Sequence, residues 1–341
     1  MAVKTTSPSA PPLETVDLLP FCKATADPLR INILRVLSME SFGVTELGRV
    51  FSVPQPGMSH HLKILTTADL LDTRREGNSI FYRRSLISTD NPLGKLKQSL
   101  FEAIDQIALP MPIQAALSGV HRERAENSRL FFERNASKFK ENQDLIANFS
   151  QYSAGARELI NNEQISEDAT VMEVGPGDGD LLLYLSNLFG RVIALDNSAE
   201  MLDKARLSIA AGNRNNVHFL QGDLTAALQQ NIKVDLLVLN MVLHHVASPA
   251  EVFKQAYGLL NESSCFIVID LCSHDQDWTR EICGDVWLGF EPDDLDNWAS
   301  NAHLSGGQSV YLGLRNGFQV QMRLFHTLST TGTQFKTEGK T

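Results

Sequence analysis

The sequence predicts two folded domains in series, a mainly helical one and then an α/β one built around a largely parallel sheet. Three observations carry this expectation. At 341 residues the chain has room for two domains. Residues 15–91 hold short helical patterns followed by an alternating basic stretch, whereas residues 166–328 alternate apolar strand-like runs with helical ones, the mark of βαβ units. The formal charge of −10 divides along the same line: residues 15–89 carry nine Lys/Arg against seven Asp/Glu, and the chain from Asp90 onward carries −12.

The remaining segments are read by composition. Residues 1–14 form a polar, small-residue leader and residues 329–341 a polar tail, both expected to be disordered. Residues 92–165 look like a helical dimerisation or linker segment, broken at Leu109-Pro110-Met111-Pro112. With 43% hydrophobic and 21% charged residues the composition is that of a soluble protein. The longest apolar run, 234–246, is interrupted by Asp235, Asn240 and two histidines, short of the roughly 20 apolar residues of a membrane span. No apolar core marks a secretion signal near the start. The four cysteines, Cys22, Cys265, Cys272 and Cys283, form no CxxC pair, so a reducing cytoplasm is expected and Cys22 is read as a small packing hydrophobe. The acidic C-terminal portion argues against a nucleic-acid substrate there.

In the first domain, Asp27-Pro28 is a helix start: a capping side chain, then proline at the first helical position. Leu29, Ile33, Leu34 and Leu37 follow on one helical face, and a short second helix over 44–51 presents Leu47 and Val50. After Val53-Pro54 a third helix begins at Gln55, with Met58, Leu62 and Leu65 as its inward stripe. Gln55, Ser59, His60 and Lys63 are left outward, a mix of donors, acceptors and charge suited to base edges and phosphates in a major groove. The following stretch, 70–83, reads as a β-hairpin turning at Glu76-Gly77-Asn78, with Arg74, Arg75 and Arg83 making it a basic wing. This order of elements is a winged helix-turn-helix, and its recognition segment resembles that of the ArsR-type repressors over roughly residues 18–90. The resemblance implies binding to double-stranded operator DNA as a homodimer, with the helix over 93–107 available to pair two subunits. Metal-sensing members carry a Cys-x-Cys before the turn; here those positions are Gly43 and Thr45, so no thiophilic metal site is expected. His60 and His61 are consecutive and point different ways, which also speaks against a shared ion. No metal ligands are assigned anywhere in the chain.

In the second domain, the strand pattern Thr170-Val171-Met172-Glu173-Val174 runs into Gly175-Pro176-Gly177-Asp178-Gly179 and then a helix carrying Leu181, Leu182 and Leu185. Glycines suit a loop that turns sharply and lies against a ligand. Asp180 stands where a dinucleotide fingerprint has its last glycine, and Asp178 is unwelcome beside a pyrophosphate, which favours an adenosyl ligand without phosphates over NAD. The next strand ends at Asp196, placed to accept ribose hydroxyls, and the third leads to Asp223, placed to meet an adenine amino group. A fourth ends at Asn240, and Cys265–Ile269 reads as a fifth. From about 168 to 268 this resembles class I S-adenosylmethionine-dependent methyltransferases, which implies a Rossmann-like methyltransferase domain behind the mainly helical winged helix-turn-helix domain. By that resemblance S-adenosylmethionine, or S-adenosylhomocysteine, is the cofactor; Glu173 lies near its methionine amino group, Gly175, Gly177 and Gly179 line it, Asp196 holds the ribose, and Asp223 and Asn240 complete the site. Glu173 replaces the family's commoner aspartate.

Val242-Leu243-His244-His245-Val246 resembles the segment facing the transferring methyl. An imidazole there suits proton removal from a nucleophile; the other reading is that His244 and His245 pack and hydrogen-bond locally. Further on, Trp278, Trp287, Phe290 and Trp298 are interleaved with acids, either as a lid or as a packing surface. Two functions stay open at this point: a DNA-binding regulator that also methylates a small molecule, or a non-catalytic repressor that senses the cofactor or its demethylated product.

Overall fold

The computed structural model describes residues 15–76, 79–87, 91–135 and 138–327. The expected leader, the tail and the turn residues Gly77 and Asn78 lie outside these. The chain separates into two compact units, dividing between Glu123 and Arg124.

In the first unit, α1 (Thr15–Thr25) precedes α2 (Pro28–Val36), whose start is capped by Asp27 accepting the Arg30 amide at 3.0 Å. The two-residue β1 (Phe42–Gly43) leads into α3 (Val44–Phe51), which closes on Ser52 in a left-handed conformation, φ 55°. The chain then turns into α4 (Gln55–Thr67). Met58, Leu62 and Leu65 on α4 are all 0% exposed, so the apolar stripe alone decides which face of this helix is turned out. The hairpin of β2 (Leu71–Glu76) and β3 (Ser79–Arg84) is antiparallel, and β1 adds to the free edge of β3.

Two helices beyond the expected domain end join this core: α5 (Gly94–Asp105) through Phe101 and Ile104, and α6 (Met111–Asn135) through Val120. Polar contacts fasten α5 to the hairpin. Arg84 donates two hydrogen bonds to the Asp105 carboxylate, at 2.6 and 2.8 Å. The buried Lys97 donates to Asp69 at 2.8 Å and to Ser85 at 3.1 Å. A buried ammonium is tolerable only with such partners.

In the second unit, α7 (Phe139–Ile146) and α8 (Phe149–Asn162) precede a seven-stranded sheet. The alternating elements are β4 (Thr170–Val174), α9 (Asp180–Leu188), β5 (Arg191–Asp196), α10 (Ala199–Ala211), β6 (Val217–Gln221), α11 (Leu224–Gln229), β7 (Val234–Asn240), α12 (Pro249–Leu259) and β8 (Leu260–Leu271). They are followed by α13 (Trp278–Ile282), α14 (Pro292–Asn301), β9 (Leu304–Gly313) and β10 (Gln319–Thr327). Strand order is β6-β5-β4-β7-β8-β10-β9; β4 to β8 are parallel, and β10 runs antiparallel to both β8 and β9. The central strands read as unbroken apolar runs because both faces are covered: Val171, Val192, Leu236 and Ile267 on one face and Met172, Leu237, Leu239 and Val268 on the other are all 0% exposed.

The connection reverses direction at β4, with β5 on one side and β7 on the other. In open α/β sheets the crevice outside the strand C-termini at such a point is where ligands bind. Helix α8 is part of this core, burying Tyr152, Ala156, Leu159 and Ile160. The stretch 92–165 is therefore shared between two cores. The aromatic cluster after β8 packs inward: Trp287 and Phe290 are 3% and 2% exposed, and Trp298 lies against Phe253 and Phe290.

Candidate functional site

Every cofactor residue anticipated from the sequence stands on a strand C-terminus or the loop after it. Glu173 is the penultimate residue of β4 and is 1% exposed. One of its oxygens, Oε2, is buried without a hydrogen-bond partner. Burial, with Asp180 nearby, pushes its pKa well above the usual carboxylate range. Such a group calls for a cationic or donating partner. Gly175 has φ +64°, and a Cβ there would lie 2.4 Å from a Val242 methyl, so no other residue fits between the two loops. Gly177 also has positive φ, and Gly179 (φ 86°) starts α9 in the left-handed region.

Asp196 ends β5. Its Oδ1 accepts the Ser198 amide at 2.9 Å, and burial holds its pKa up at about 6 against the lowering effect of the Ser198 and Asn197 amides. Asp223 is exposed and caps α11, accepting the Ala226 amide at 2.9 Å. Asn240, at the end of β7, keeps Oδ1 buried and unpartnered, and Tyr152 stands near it. Tyr152, from α8, was not singled out in the sequence. It is 3% exposed, and burial raises its pKa, as do the charges of Glu173, Asp270 and Asp180. On an amphipathic helix it looks like any core aromatic, so no local pattern distinguishes it.

The two histidines occupy a 3₁₀ turn, Leu243–His245, right after β7. His244 is 0% exposed; its Nδ1 donates to Asp270 Oδ1 at 2.7 Å, and its Nε2 lies 3.8 Å from Asp285 Oδ1. Burial opposes its protonation, yet Asp270 and Asp285 together hold its pKa up at about 9. His245 lies beside it, ring centroids 3.9 Å apart, with Nδ1 3.3 Å from the Gly284 carbonyl and 3.7 Å from Asp285 Oδ1. Burial and the neighbouring charge on His244 hold its pKa well down. A general base must come within hydrogen-bond reach of its substrate proton; these imidazoles face protein groups. Asp270 was missed although it ends the apolar run of β8 as Asp196 ends β5.

On α4, Gln55, His60 and Lys63 are exposed and Ser59 is half-buried. Across the hairpin Arg74 faces Phe81, Arg75 faces Ile80 and Arg83 faces Asp72. Side chains alternate along a strand, so Arg74 and Arg83 share one face and Arg75 takes the other, where the sequence reading had grouped all three. Cys22 is exposed rather than packed, and Cys272 and Cys283 are buried thiols whose pKa values burial pushes up to about 11 and about 12. Among the described residues no helix is long and apolar enough to cross a membrane.

The geometry defines a class: a winged helix-turn-helix unit followed by a parallel-sheet domain with a glycine loop at its switch point. The profile of a helix-turn-helix domain matches residues 25–74, and that of a methyltransferase domain matches residues 165–303. The chain is 39% identical to the transcriptional repressor SmtB of Mycobacterium tuberculosis over 79 residues, 23% of this chain and 58% of that repressor. It is 36% identical to the arsenical resistance operon repressor of Staphylococcus xylosus over 20% of this chain and 64% of that one, so it spans about three-fifths of these curated relatives. Among solved structures it resembles the N-methyltransferase NodS of Bradyrhizobium japonicum, determined with S-adenosylhomocysteine, at TM-score 0.46 and 14% identity over 59% of this chain and 98% of that one. A methyltransferase of Aquifex aeolicus aligns at TM-score 0.41 and 18% identity over 55% and 97%. The chain thus carries an N-terminal ArsR/SmtB-type helix-turn-helix domain followed by a methyltransferase domain.

Proposed function

We propose that this protein is a DNA-binding transcriptional regulator whose C-terminal domain binds S-adenosylmethionine or S-adenosylhomocysteine and methylates a small molecule. The observation that carries the cofactor reading is Glu173, a buried carboxylate with an unpartnered oxygen beside a glycine loop that admits no Cβ. A cationic amino group is the partner such an acid calls for. Asp196 holds the ribose hydroxyls from the next strand end, and Asn240 and Tyr152 close the side toward β7. The cofactor supplies a methyl already activated on a sulfonium. The protein's part is to hold a nucleophile in line with it, which is worth on the order of 7–11 kcal/mol and requires no general base. On the other domain Gln55, Ser59, His60 and Lys63 face the major groove of operator DNA, with the hairpin arginines at its flank, and a homodimer reads two half-sites.

Isothermal titration calorimetry with S-adenosylmethionine, S-adenosylhomocysteine and NAD tests the cofactor. Binding of either adenosyl ligand and not NAD is expected, and NAD binding alone would sink the reading. A second reading is a non-catalytic sensor, in which the two buried motif histidines act on no substrate. In that case the cofactor changes operator affinity through different affinities for two conformations. Titrating DNA from upstream of the protein's own gene with and without each cofactor form, alongside a turnover assay for S-adenosylhomocysteine release, separates the two readings.

A further inference from the structure

Two clusters of His, Cys and acidic side chains among the described residues are close enough to share an ion. In the first, Glu163 Oε2 already accepts from His326 Nε2 at 2.8 Å and from Cys265 Sγ at 3.3 Å, and the thiol is neutral because burial and Glu163 push its pKa up to about 12. That cluster is satisfied by its own hydrogen bonds. In the second, His244 Nε2 and the Asp285 carboxylate have no hydrogen-bond partner, and His245 Nδ1 has only a 3.3 Å hydrogen bond to the Gly284 carbonyl, which gives way with its proton when a metal binds.

We propose that His244, His245 and Asp285 form a site for a first-row divalent transition metal of the zinc class. Their donor atoms lie within 4.8 Å of one another, and all three residues are buried. His244 Nε2 and both carboxylate oxygens of Asp285 are buried without a hydrogen-bond partner. The nearby Thr279 hydroxyl has one proton to give, and it goes to the Gln276 carbonyl at 3.2 Å. Buried polar atoms are rarely left so, and three converging ones are an invitation to a cation. Nε2 of His244 and Nδ1 of His245 stand 3.8 and 3.7 Å from the same Asp285 oxygen. A tetrahedral ion about 2.0–2.1 Å from each donor separates its ligands by roughly 3.4 Å, a few tenths of an ångström less than these two distances.

The supporting residues match what a metal-bound histidine needs. Asp270 holds His244 Nδ1 at 2.7 Å, fixing the ring so that Nε2 is the atom presented, the carboxylate–histidine–metal arrangement. The loop carrying Asp285 is clamped to the histidine turn, because the amides of Val286 and Trp287 both donate to the His244 carbonyl at 3.0 Å. Gly284, at φ +80°, makes the turn that brings Asp285 round; a Cβ there would strike the Phe131 ring at 2.3 Å. Phe132 closes the far side with its ring 4.8 Å from His245. A metal displaces the proton that Asp270 and Asp285 hold on His244 in the metal-free protein; two imidazoles and a carboxylate then suit zinc, and three protein donors leave one position for water or a substrate atom. This site uses none of the residues assigned to the adenosyl ligand and stands or falls independently of that reading.

The test uses the full chain, stripped with a chelator and checked for fold by circular dichroism. Calorimetry with Zn²⁺ should give one equivalent per chain, and Co²⁺ should give intense visible bands of a low-coordinate nitrogen/oxygen site. Asp285→Ala should abolish Zn²⁺ uptake, and Asp270→Asn should weaken it by about 10–100-fold, while Glu163→Gln leaves it unchanged. Wild-type protein that is folded and takes up neither ion overturns the proposal. So does metal binding that survives Asp285→Ala and is lost in Glu163→Gln. Because a variant that fails to fold also loses metal, the wild-type Co²⁺ spectrum stands as a separate criterion: octahedral, weak bands refute the site. S-adenosylmethionine titrated into the same samples keeps the cofactor reading apart.

Discussion

The two units hold their candidate functional residues in opposite ways. In the helix-turn-helix unit they are what remains outside after the core has formed: Met58, Leu62 and Leu65 are fully buried, and Gln55, His60 and Lys63 are exposed by default. In the methyltransferase unit they lie inside, with Glu173, His244, Asp270 and Asp285 at 1%, 0%, 0% and 4% exposure. An outward polar face costs the fold little, since water satisfies it. An inward acid without a partner destabilises the folded chain until something binds. Substitutions should therefore change binding with little change in stability in the first unit, and change both in the second.

The largest effect is expected at Gly175. An alanine there meets an unfavourable left-handed backbone, about 1–3 kcal/mol, and displaces Val242 besides. Thermal denaturation should show a lowered midpoint, and calorimetry should show no S-adenosylmethionine binding. A Gly175→Ala protein that binds normally would remove the glycine loop from the site.

Gln55→Ala is the matching change in the other unit. It should cost about 1–3 kcal/mol on the true operator and almost nothing on random DNA, with an unchanged melting temperature. Fluorescence anisotropy measures the first and calorimetric scanning the second. A fall in stability as large as that of Gly175→Ala would break the contrast between the units.

Asp196→Ala should weaken S-adenosylmethionine binding at least about tenfold, near 1.4 kcal/mol. The pH dependence has a definite sign. The carboxylate accepts hydroxyl protons only when ionised, and its pKa stands at about 6, so affinity should fall as pH drops through about 6 and Asp196→Asn should flatten that fall. For stability the sign is opposite: an acid whose folded pKa is raised contributes most below its unfolded pKa, and the contribution is lost as pH rises through the folded value. If affinity is level from pH 5 to 8, Asp196 does not hold the ligand.

The smallest effect concerns the hairpin. Arg74→Ala should weaken specific and random DNA alike and reduce the salt slope by about one unit. Since Arg75 is on the opposite strand face, Arg75→Ala should differ from it. Equal slopes for both variants would mean that the hairpin twists both side chains to the phosphates.

Features that depend on near neighbours in sequence were legible without coordinates. Asp27 caps the helix that follows it, the i, i+4, i+7 stripe of α4 is buried, and Glu173, Gly175 and Asp196 fall at strand ends because strand, loop and helix succeed one another within a few residues. Asp270 was within reach of the same rule, since it too is an acid closing an apolar run. The helix over 94–105 was only partly legible, for a definite reason: an amphipathic helix shows that it buries a face but not against what. Here Phe101 and Ile104 pack into the domain's own core, and Lys97 and Asp105 tie it to the hairpin.

The sequence by itself determined the two-domain order, the polar outward face of α4 and the glycine loop, because helical period, strand alternation and turn chemistry act over a few residues. Only the tertiary structure decided that Tyr152 stands beside Asn240, that β10 runs back antiparallel along β8, and that Asp285 faces two histidines some 40 residues earlier in the chain. These pairings depend on which strands lie adjacent and which loops their ends project, a property of the closed sheet and its packed helices. No local pattern records it, because the residues that meet are joined only through the core between them.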